Sequence, residues 1–339
     1  MPQLKISQLK PKTISVTTQD LVVRSFFEQS PALPLVLKPV SPDVDLIEWA
    51  RANQGQLEAD LLKYGGILFR DFNITEPAQF DRFVSAICSS LFNENGEHPR
   101  ESMGGNIYTP VFYAPEKKLL WHNENSFNAQ WPMKIWFYCH KPAQTGGETT
   151  IADSRLVFER LSRQTRERFL EKKVMYVRNY REGLGLDWQT VFQTHDKQDV
   201  ERQCKLSGFK FEWTPSGHLR TSCVRPAAAR HPQTGEMVWF NQAQHWHPAM
   251  LDEETRKSLR ALFDEHDLPR HCHYGDGSPI EDSVMHEICS VYQDLEVVFP
   301  WHAGDIVMLD NMLVAHARNP FVGERKLCVA LGEMISPEN

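Results

Sequence analysis

The segment GDIVMLDNMLVAHARNPFVGERKLCVAL, residues 304–331, contains the clearest structural pattern in the chain. It includes three apolar runs, Asp305–Leu309, Leu313–Ala317 and Lys326–Leu331. Short apolar runs bounded by Asp, Asn, Gly or Pro residues are typical of strands. We therefore expect three strands in quick succession within a β-rich core.

His316, at the end of the second run, has candidate partners far upstream in the chain. The segment Trp121–Glu124 reads WHNE and places His122 and Glu124 two positions apart. On an extended backbone, residues i and i+2 point to the same side, so both side chains can reach one ion. Two histidines and one carboxylate on one side of a metal form the facial triad of non-haem iron(II) oxygenases. We therefore treat these three residues as candidate metal ligands.

Taken alone, the pair His122 and Glu124 is weak evidence. The chain has 14 histidines, so one such spacing is close to chance, and a hydrogen-bonded pair at a strand edge is the competing interpretation. His316 alone equally fits a hydrogen-bonded core histidine. Two other clusters, Gln244–His247 and His271–His273, compete as zinc sites. Neither has a CxxC or HxxxH partner at the spacing that zinc sites use.

The rest of the chain alternates between strand and helix patterns. Strands are predicted at 67–69, 135–139, 149–151, 174–180, 209–215 and 237–241, and helices at 45–63, 77–88, 155–172, 247–266 and 282–294. We expect an all-β core with helical additions (α+β), arranged as a jelly-roll barrel buttressed by helices. Residues 1–40 are expected to form an irregular or strand-forming arm, and residues 1–339 a single domain.

Composition narrows the classes of partner. The net charge is −7, and the charged residues form no basic stripe of the kind that binds nucleic acid. The nearest basic cluster, Arg155–Lys173, is interrupted by acidic residues and reads as a solvated helix face.

No run reaches the roughly 18 apolar residues that span a membrane. The N-terminal sequence has no apolar signal core, and the seven cysteines form no CxxC pair. We expect a cytoplasmic protein with reduced, buried thiols.

Three motifs together resemble the taurine dioxygenase-like and clavaminate synthase-like families of iron(II)/2-oxoglutarate oxygenases. They are the HxE of residues 122–124, the GGET of residues 146–149, and a GD…DN…HxR…R pattern within residues 304–325. Their order and approximate spacing are reproduced from about residue 64 to 331. Within this superfamily the chain most resembles the syringomycin-type aspartyl and amino-acid hydroxylases, on the segments WHNE, KPAQTGGET, WFNQ and DNMLVAHARNPFVGERK.

The resemblance implies a role for each matched position. His122, Glu124 and His316 match the iron ligands, with 2-oxoglutarate and O2 as co-substrates. Arg325 matches the arginine that binds the far carboxylate of 2-oxoglutarate, where a planar guanidinium can donate two parallel hydrogen bonds. Thr149 matches the hydroxyl that assists it. A lid over the site is expected from the insertion at about 180–285.

The chain departs from the taurine-type pattern at two positions. Glu124 stands where the taurine-type enzymes have aspartate, and Val329 stands where a second arginine is often found. Arg318 is a candidate substitute near the cofactor or substrate. For substrate contact we single out Asn241 and Gln242 of the WFNQ segment. A third candidate is Asn106, in a glycine-containing loop ahead of the metal strand; turn and surface roles fit these residues equally well.

The resemblance implies hydroxylation of an unactivated C–H bond of an amino acid or amino-acid derivative, free or bound to a peptidyl carrier protein, in natural-product biosynthesis. Halogenating relatives lack the carboxylate ligand, so Glu124 disfavours chlorination. Other hypotheses are a taurine-type catabolic dioxygenase of a sulfonate or carboxylate, and a desaturase or cyclase with the same oxidising chemistry. A non-catalytic barrel that binds a metal or metabolite is the alternative outside enzymes. No nucleic-acid or membrane partner is expected.

Overall fold

A computed structural model describes residues 18–30, 32–92, 101–181 and 185–336, and these contain seventeen β-strands and ten α-helices. The strands are β1 (Val22–Ser25), β2 (Leu35–Pro39), β3 (Gly66–Phe69), β4 (Leu119–His122), β5 (Trp131–Lys141), β6 (Thr145–Gly146), β7 (Thr149–Asp153), β8 (Val174–Tyr180), β9 (Lys210–Trp213), β10 (Leu219–Arg225), β11 (Ala228–Arg230), β12 (Met237–Trp239), β13 (Arg270–Tyr274), β14 (Ile306–Asp310), β15 (Val314–Arg318), β16 (Phe321–Val322) and β17 (Lys326–Ile335).

The helices are α1 (Leu46–Ala52), α2 (Gln54–Tyr64), α3 (Pro77–Ile87), α4 (Ser154–Arg160), α5 (Arg163–Lys172), α6 (Trp188–Phe192), α7 (Lys197–Leu206), α8 (Ala243–Trp246), α9 (Glu253–Leu262) and α10 (Asp282–Leu295). Short 3-10 turns lie at Thr18–Leu21, Pro248–Met250 and Glu265–Asp267.

A six-stranded sheet of order β1-β2-β3-β14-β5-β17 forms the centre of the molecule. Its pairs are antiparallel except for β2 and β3, which are parallel. Trp136 and Tyr138 of β5 face a core built with α1, α2 and α3, whereas Ile135 and Phe137 face the opposite side. Both faces are buried, so the central strands are apolar at consecutive positions rather than at alternate ones.

A smaller sheet of order β4-β15-β7 packs against the second face of the six-stranded sheet. Ile151 and Val314 of this small sheet share an apolar cluster with Ile135 and Phe137. Residues two apart on a strand share a face, so His316 points with Val314 into the space between the sheets. Its ring lies 5.0 Å from that of Phe137.

A separate four-stranded sheet of order β13-β8-β10-β9 covers the other side of the small sheet. Tyr176, Cys223 and Cys272 of this sheet join the cluster that also contains Trp121 and Ala315. The β11–β12 hairpin adds Trp239 to the same cluster. The β-rich core with helical additions expected from the sequence is therefore confirmed.

The strand expectations match the structure closely, whereas three helix boundaries were wrong. The single helix expected at 45–63 divides at Asn53, whose side-chain amide donates to the Trp49 carbonyl oxygen at 2.8 Å. The helix expected at 155–172 divides before Arg163, because Ser162 caps a new helix through the Thr165 amide. Local capping groups of this kind end helices that an apolar stripe alone would extend.

The helix expected at 247–266 is shorter, since only Glu253–Leu262 is α-helical and Asp252 caps its start. The strand expected at 209–215 is limited to Lys210–Trp213. The interpretation of Arg155–Lys173 as a solvated face was wrong at Arg155. That side chain is 16% exposed and forms ion pairs with Asp153 and Glu236.

Within the expected N-terminal arm, the structure shows two strands, β1 and β2. Residues 1–17 of the arm lie outside the described residues. The seven cysteines are free thiols, and all but Cys289 are buried. No described helix has the length and apolar character that crossing a membrane requires.

Candidate functional site

The structure brings together the three candidate metal ligands. His122 on β4 and His316 on β15 are direct cross-strand partners, and their ring centroids lie 4.2 Å apart. The Glu124 carboxylate oxygen Oε2 lies 4.0 Å from His316 Nε2. One ligand atom from each residue falls within 4.8 Å of the others. No other group of three such residues is gathered in the part of the chain that the structure describes.

Glu124 is positioned by a buried amide rather than by an extended strand. β4 ends at His122, and Glu124 lies in the turn that follows. The Glu124 backbone N–H donates to Asn311 Oδ1 at 2.7 Å, and Asn311 Nδ2 donates to the backbone oxygens of Glu124 at 2.9 Å and Pro132 at 2.8 Å. The Asp-Asn turn of the C-terminal motif therefore fixes the backbone of a residue about 190 positions upstream.

A second layer of amides supports the same turn. Asn123 Nδ2 donates to the Asn311 carbonyl oxygen at 2.7 Å and to Ser154 Oγ at 3.2 Å. Gln242 Nε2 donates to the Asn123 carbonyl oxygen at 2.8 Å. These groups are buried, so the hydrogen bonds restrict the backbone that follows His122.

The backbone also sets the tautomer of His122. Its Nδ1 lies 2.9 Å from the Leu120 carbonyl oxygen. A carbonyl only accepts, so the proton is on Nδ1 and the Nε2 lone pair is left for a metal. His245 Nε2 reaches the same carbonyl oxygen at 2.9 Å, and its ring packs at 4.9 Å from that of His122.

Arg325 lies beside the triad, in a socket formed by the GGET segment. Its Nε donates to the Gly147 carbonyl oxygen at 2.8 Å, and its Nη2 lies 3.4 Å from Thr149 Oγ1. Gly147 has φ +76°, and a Cβ there would lie 3.0 Å from Arg325 Cδ. Glycine is therefore required both by the backbone conformation and by the close approach of the guanidinium. Trp301 Nε1 donates to Thr149 Oγ1 at 3.2 Å and fixes the hydroxyl.

Arg325 is a partly buried cation whose local hydrogen-bond partners are neutral. Burial, followed by the charge of Arg318, lowers the pKa of Arg325 to about 10. The guanidinium is still charged at neutral pH. No described carboxylate lies within ion-pair distance of it, and a partly desolvated charge is stabilised by an opposite one. The socket therefore suits a carboxylate ligand.

Two cavities meet at Glu124. The first, about 420 Å³, is lined by Thr149, His316, Arg325 and Val329. The second, about 400 Å³, has walls that include Phe127, Gln242, His245, Trp246 and Arg270. Glu124 lines both, as do residues of the loop that contains Val111, Phe112 and Tyr113. The triad is therefore accessible from two sides, and only the first cavity contains Arg325.

Comparison with known proteins gives consistent results. A sequence profile described as "Taurine catabolism dioxygenase TauD, TfdA family" matches residues 32–331. The dapdiamide synthesis protein DdaC of Enterobacter agglomerans is 36% identical over 316 residues, covering 93% of this chain and 95% of that protein. A clavaminate synthase-like protein of Arabidopsis thaliana is 27% identical over 322 residues, with 89% and 94% coverage.

The chain belongs to the TauD/TfdA dioxygenase family.

Solved structures share the fold. PvcB from Pseudomonas aeruginosa superposes with a TM-score of 0.56 and 14% identity, covering 95% of each chain. Another PvcB structure is described as that of an Fe, alpha-ketoglutarate dependent oxygenase from an isonitrile synthetic pathway. A taurine dioxygenase from Burkholderia xenovorans gives 0.52 and 17%, covering 94% of this chain and 92% of that one. This TauD/TfdA enzyme is an iron(II)- and 2-oxoglutarate-dependent dioxygenase.

The donor set of this dioxygenase fits iron(II). Two imidazole nitrogens and one carboxylate oxygen can occupy one side of an ion and leave the other side open, as the facial triad requires. The zinc alternatives have a different arrangement. Cys272 on β13 directs its Sγ to the Ala243 carbonyl oxygen, and His271 pairs with Glu265 at 3.0 Å. His247 is engaged with the Ile280 carbonyl oxygen at 3.0 Å.

Arg318 lines the first cavity but does not present its guanidinium to it as a second anion-binding group. Its Nη1 donates to the Tyr113 carbonyl oxygen at 3.0 Å, and its Nη2 donates to those of Ala114 and Lys117 at 2.6 Å each. Arg318 therefore fastens the loop that lines both cavities. Val329, at the position of the missing arginine, makes the corresponding cavity wall apolar.

The three expected substrate residues lie in different places. Gln242 lines the second cavity, although its Nε2 is used by Asn123. Asn241 is fully buried, and its side chain bonds Ala227 O and the Ala243 amide, which is the pattern of a structural turn. Asn106 lies against α3, where its backbone N–H donates to Asp81 at 2.9 Å. The structure brings neither Asn241 nor Asn106 to the cavities around the triad.

The sequence interpretation missed several cavity residues. Trp301, which orients Thr149, and Arg270 in the wall of the second cavity stand in no recognisable motif. His245 was considered only as a zinc ligand, yet it lines the second cavity beside His122. The spacing of two residues between His245 and His247 does not predict that His245 lines the cavity, because this placement depends on the packing of α8 against β4.

Proposed function

We propose that this dioxygenase hydroxylates an unactivated C–H bond of an amino acid or amino-acid derivative in natural-product biosynthesis. The observation that carries the proposal is the placement of the triad between two cavities. One contains the partly buried Arg325, which suits the 2-oxoglutarate carboxylate, and the other leaves about 400 Å³ for a separate substrate.

In this proposal His122, Glu124 and His316 hold the iron, and Arg325 with Thr149 binds the far carboxylate of 2-oxoglutarate. When bound, iron and 2-oxoglutarate supply the oxidation of a C–H bond by O2, with succinate and carbon dioxide as by-products. His122 Nδ1 keeps its proton and donates it in a hydrogen bond to the Leu120 carbonyl oxygen, which holds the ring in place.

The chain itself aims the substrate and excludes water. Phe137 closes the space behind His316, and Phe127 and Trp246 form apolar walls of the second cavity. Asn311 fixes the backbone of the turn that carries Glu124 and so restricts where its carboxylate can lie. Apolar walls around a few fixed polar groups are typical of small-molecule sites.

Hydroxylation is favoured over halogenation because Glu124 is present and lies within reach of His316. A halide would need the coordination position that this carboxylate can fill. Desaturation or cyclisation uses the same oxidising chemistry, and no residue of the described site favours either over hydroxylation.

The amino-acid assignment is supported by the relative that takes part in dapdiamide synthesis, which is 36% identical over nearly the whole length of both chains. A catabolic dioxygenase of a sulfonate is less well supported, because Val329 lines the cavity where the taurine-type pattern has a second arginine. A metal- or metabolite-binding barrel without catalysis would have no chemical need to keep both the triad and Arg325.

Docking of a peptidyl carrier protein is a further option. Carrier proteins are commonly acidic, and a net charge of −7 opposes such docking unless a basic patch is present locally. A free small substrate is therefore our preferred form.

We also propose that the six-stranded sheet and the β4-β15-β7 sheet are the two sides of a jelly roll within a single domain. The four-stranded sheet, within the expected insertion at about 180–285 and extending back to residue 174, then serves as the lid. A reduced, cytoplasmic location fits the seven free thiols.

The test is a turnover screen of the twenty amino acids, free and loaded on a carrier protein, with iron(II), 2-oxoglutarate and O2. We expect one substrate to gain the mass of one oxygen atom in step with succinate formation. Succinate that is never coupled to any amino-acid product, with coupled oxidation of a sulfonate instead, would contradict the amino-acid assignment.

A further inference from the structure

We propose that three side chains of one short segment are positioning residues for the iron ligands. They are Gln242, Gln244 and His245, which we call the clamp. The clamp holds the ligand segment, residues 120–124, and links it to the wall of the second cavity. This inference rests on the proposed iron-binding role of the triad. It assigns a new role to side chains that the sequence indicated only as substrate or zinc contacts.

The ligand segment depends on side-chain donors because of its place in the sheet. β4, which ends at His122, is the terminal strand of the described β4-β15-β7 sheet and therefore has a strand neighbour on one side only. Glu124 lies beyond the end of β4, in a turn. Backbone carbonyl oxygens at a covered strand edge or in a buried turn need donors from elsewhere in the chain.

Each clamp side chain approaches a different backbone carbonyl oxygen of the ligand segment. The pairs are His245 with Leu120 at 2.9 Å, Gln244 with Trp121, and Gln242 with Asn123 at 2.8 Å. A carbonyl oxygen only accepts, so the side-chain nitrogens are the donors. The Leu120 oxygen also accepts from His122 Nδ1 at 2.9 Å. His245 therefore fixes the acceptor that orients the ring of an iron ligand.

The segment that carries the clamp is itself anchored. Asn241 is fully buried, donates to the Ala227 carbonyl oxygen at 2.8 Å and accepts from the Ala243 amide at 3.0 Å. The Gln242 backbone N–H donates to the Tyr176 hydroxyl at 3.0 Å. The start of α8 is therefore held on two sides, and a displacement of this segment would be passed to the ligand segment through the clamp.

The clamp also forms part of the cavity walls. Gln242 and His245 line the second cavity, which reaches the triad. Gln244 and His245 line a third cavity, of about 330 Å³. Arg178 and Arg270 are also in the wall of that third cavity. A molecule in the second cavity therefore lies against side chains that hold the iron ligands in place.

The link can be tested from the iron side, because coupling between two positions is reciprocal. If the clamp favours the iron-binding arrangement by some factor, iron at the triad must favour the clamped arrangement by the same factor. Partners that orient metal ligands contribute about 10- to 100-fold to metal affinity. α8 contains none of the three triad residues, so a response of its backbone to iron reports the link.

The first measurement is hydrogen exchange of the metal-free protein, observed at the Glu124 and Ser126 amides. Both amides donate hydrogen bonds in the native protein. His245→Phe and Gln244→Met keep the approximate shape of each side chain and remove its donor. We expect each to speed exchange at these amides by about 2- to 10-fold, the equivalent of one hydrogen bond. His245→Gln has an amide nitrogen in place of Nε2 and should restore slow exchange.

The second measurement adds iron(II) to the same proteins under anaerobic conditions. We expect the iron affinity to fall by about 10-fold in His245→Phe and in Gln244→Met, with recovery in His245→Gln. In the native protein, iron should slow exchange at the His245 and His247 amides, both hydrogen-bonded in α8, by a similar factor. The double variant His245→Phe/Gln244→Met should lose this slowing.

Asn53→Leu is the matched control. Asn53 is also a buried amide that donates to a backbone carbonyl oxygen at 2.8 Å. It lies between α1 and α2, which pack on the face of the six-stranded sheet away from the triad. This variant should lower the unfolding midpoint about as much as the clamp variants, with native iron affinity and native exchange at Glu124. His245 is only half-buried, so its variants are expected to fold.

Native iron affinity and native exchange at Glu124 in both clamp variants would overturn the positioning role. Slowing of the α8 amides that persists in the double variant, or none in the native protein, would overturn the link to the cavity wall. Failure of the proposed function is seen separately, as absence of iron binding by the native protein. The metal-free exchange comparison decides the positioning role in that case as well.

Discussion

The two ends of the connected cavities hold their arginines in different ways. At one end, the partly buried cation Arg325 is held by Gly147 and Thr149, both neutral. At the other end, Arg178 and Arg270 face each other across two strands, each against an aromatic ring. The first end has the fixed geometry suited to one small co-substrate, whereas the second lies on a separate sheet.

Loss of a metal ligand should have the largest effect, because it lowers both iron binding and hydroxylation. Glu124→Ala removes the carboxylate ligand, and we expect iron affinity and hydroxylation to fall by at least about 100-fold. Residues that only orient a metal ligand already contribute about 10- to 100-fold. Iron titration and succinate release measure the effect. Glu116→Gln, an exposed change on the neighbouring loop, is the control, and turnover by Glu124→Ala at the native rate would refute its assignment.

Arg325→Gln should weaken the binding of 2-oxoglutarate and leave the binding of iron intact. Loss of a charged, paired hydrogen bond is worth about 10- to 100-fold in affinity, so the dissociation constant of 2-oxoglutarate should rise by that factor. Iron binding should stay near native. Arg325→Lys should recover part of the affinity. An unchanged 2-oxoglutarate affinity would show that the Arg325 guanidinium serves only the fold.

Asn311→Ala should weaken the site through the backbone. It removes three hydrogen bonds around Glu124 and Pro132 and leaves buried groups unpaired. We expect a loss of about 2 to 4 kcal/mol in the free energy of unfolding, with iron affinity down by about 10-fold. Urea titration and iron titration report these separately. Full iron affinity in a destabilised variant would show that Asn311 supports the fold without orienting Glu124.

Arg318→Gln should have the smallest effect. Its guanidinium holds three carbonyl oxygens of the loop at 113–117, which borders both cavities. We expect a few-fold rise in KM for 2-oxoglutarate and for substrate together, with kcat nearly unchanged. A loss confined to 2-oxoglutarate would instead support the expectation that Arg318 contacts the cofactor.

The sequence was informative where one short segment carries both the structure and the chemistry. The strands around His316 and the turn at Asp310-Asn311 follow from apolar runs and turn residues within residues 304–331, and the structure confirms those strands. The role of Asn311 as a clamp could not be predicted, because it depends on a contact with Glu124 about 190 residues away.

The same limit applies to the Arg178–Arg270 pair. Each arginine is unremarkable in its own strand, and only the register of β8 and β13 places them side by side. The helix errors have a more local origin: Asn53 and Ser162 end or start helices through single side-chain hydrogen bonds, which an apolar stripe does not reveal.

The central claim is that one site joins a His122–Glu124–His316 iron centre to an Arg325 carboxylate socket. An anaerobic titration of the protein with iron(II) and 2-oxoglutarate, followed by visible absorption, tests it most directly. We predict a charge-transfer band that needs both additions, is lost in Glu124→Ala, and requires about 10- to 100-fold more 2-oxoglutarate in Arg325→Gln. No band in the native protein, or an identical titration in both variants, would contradict the claim.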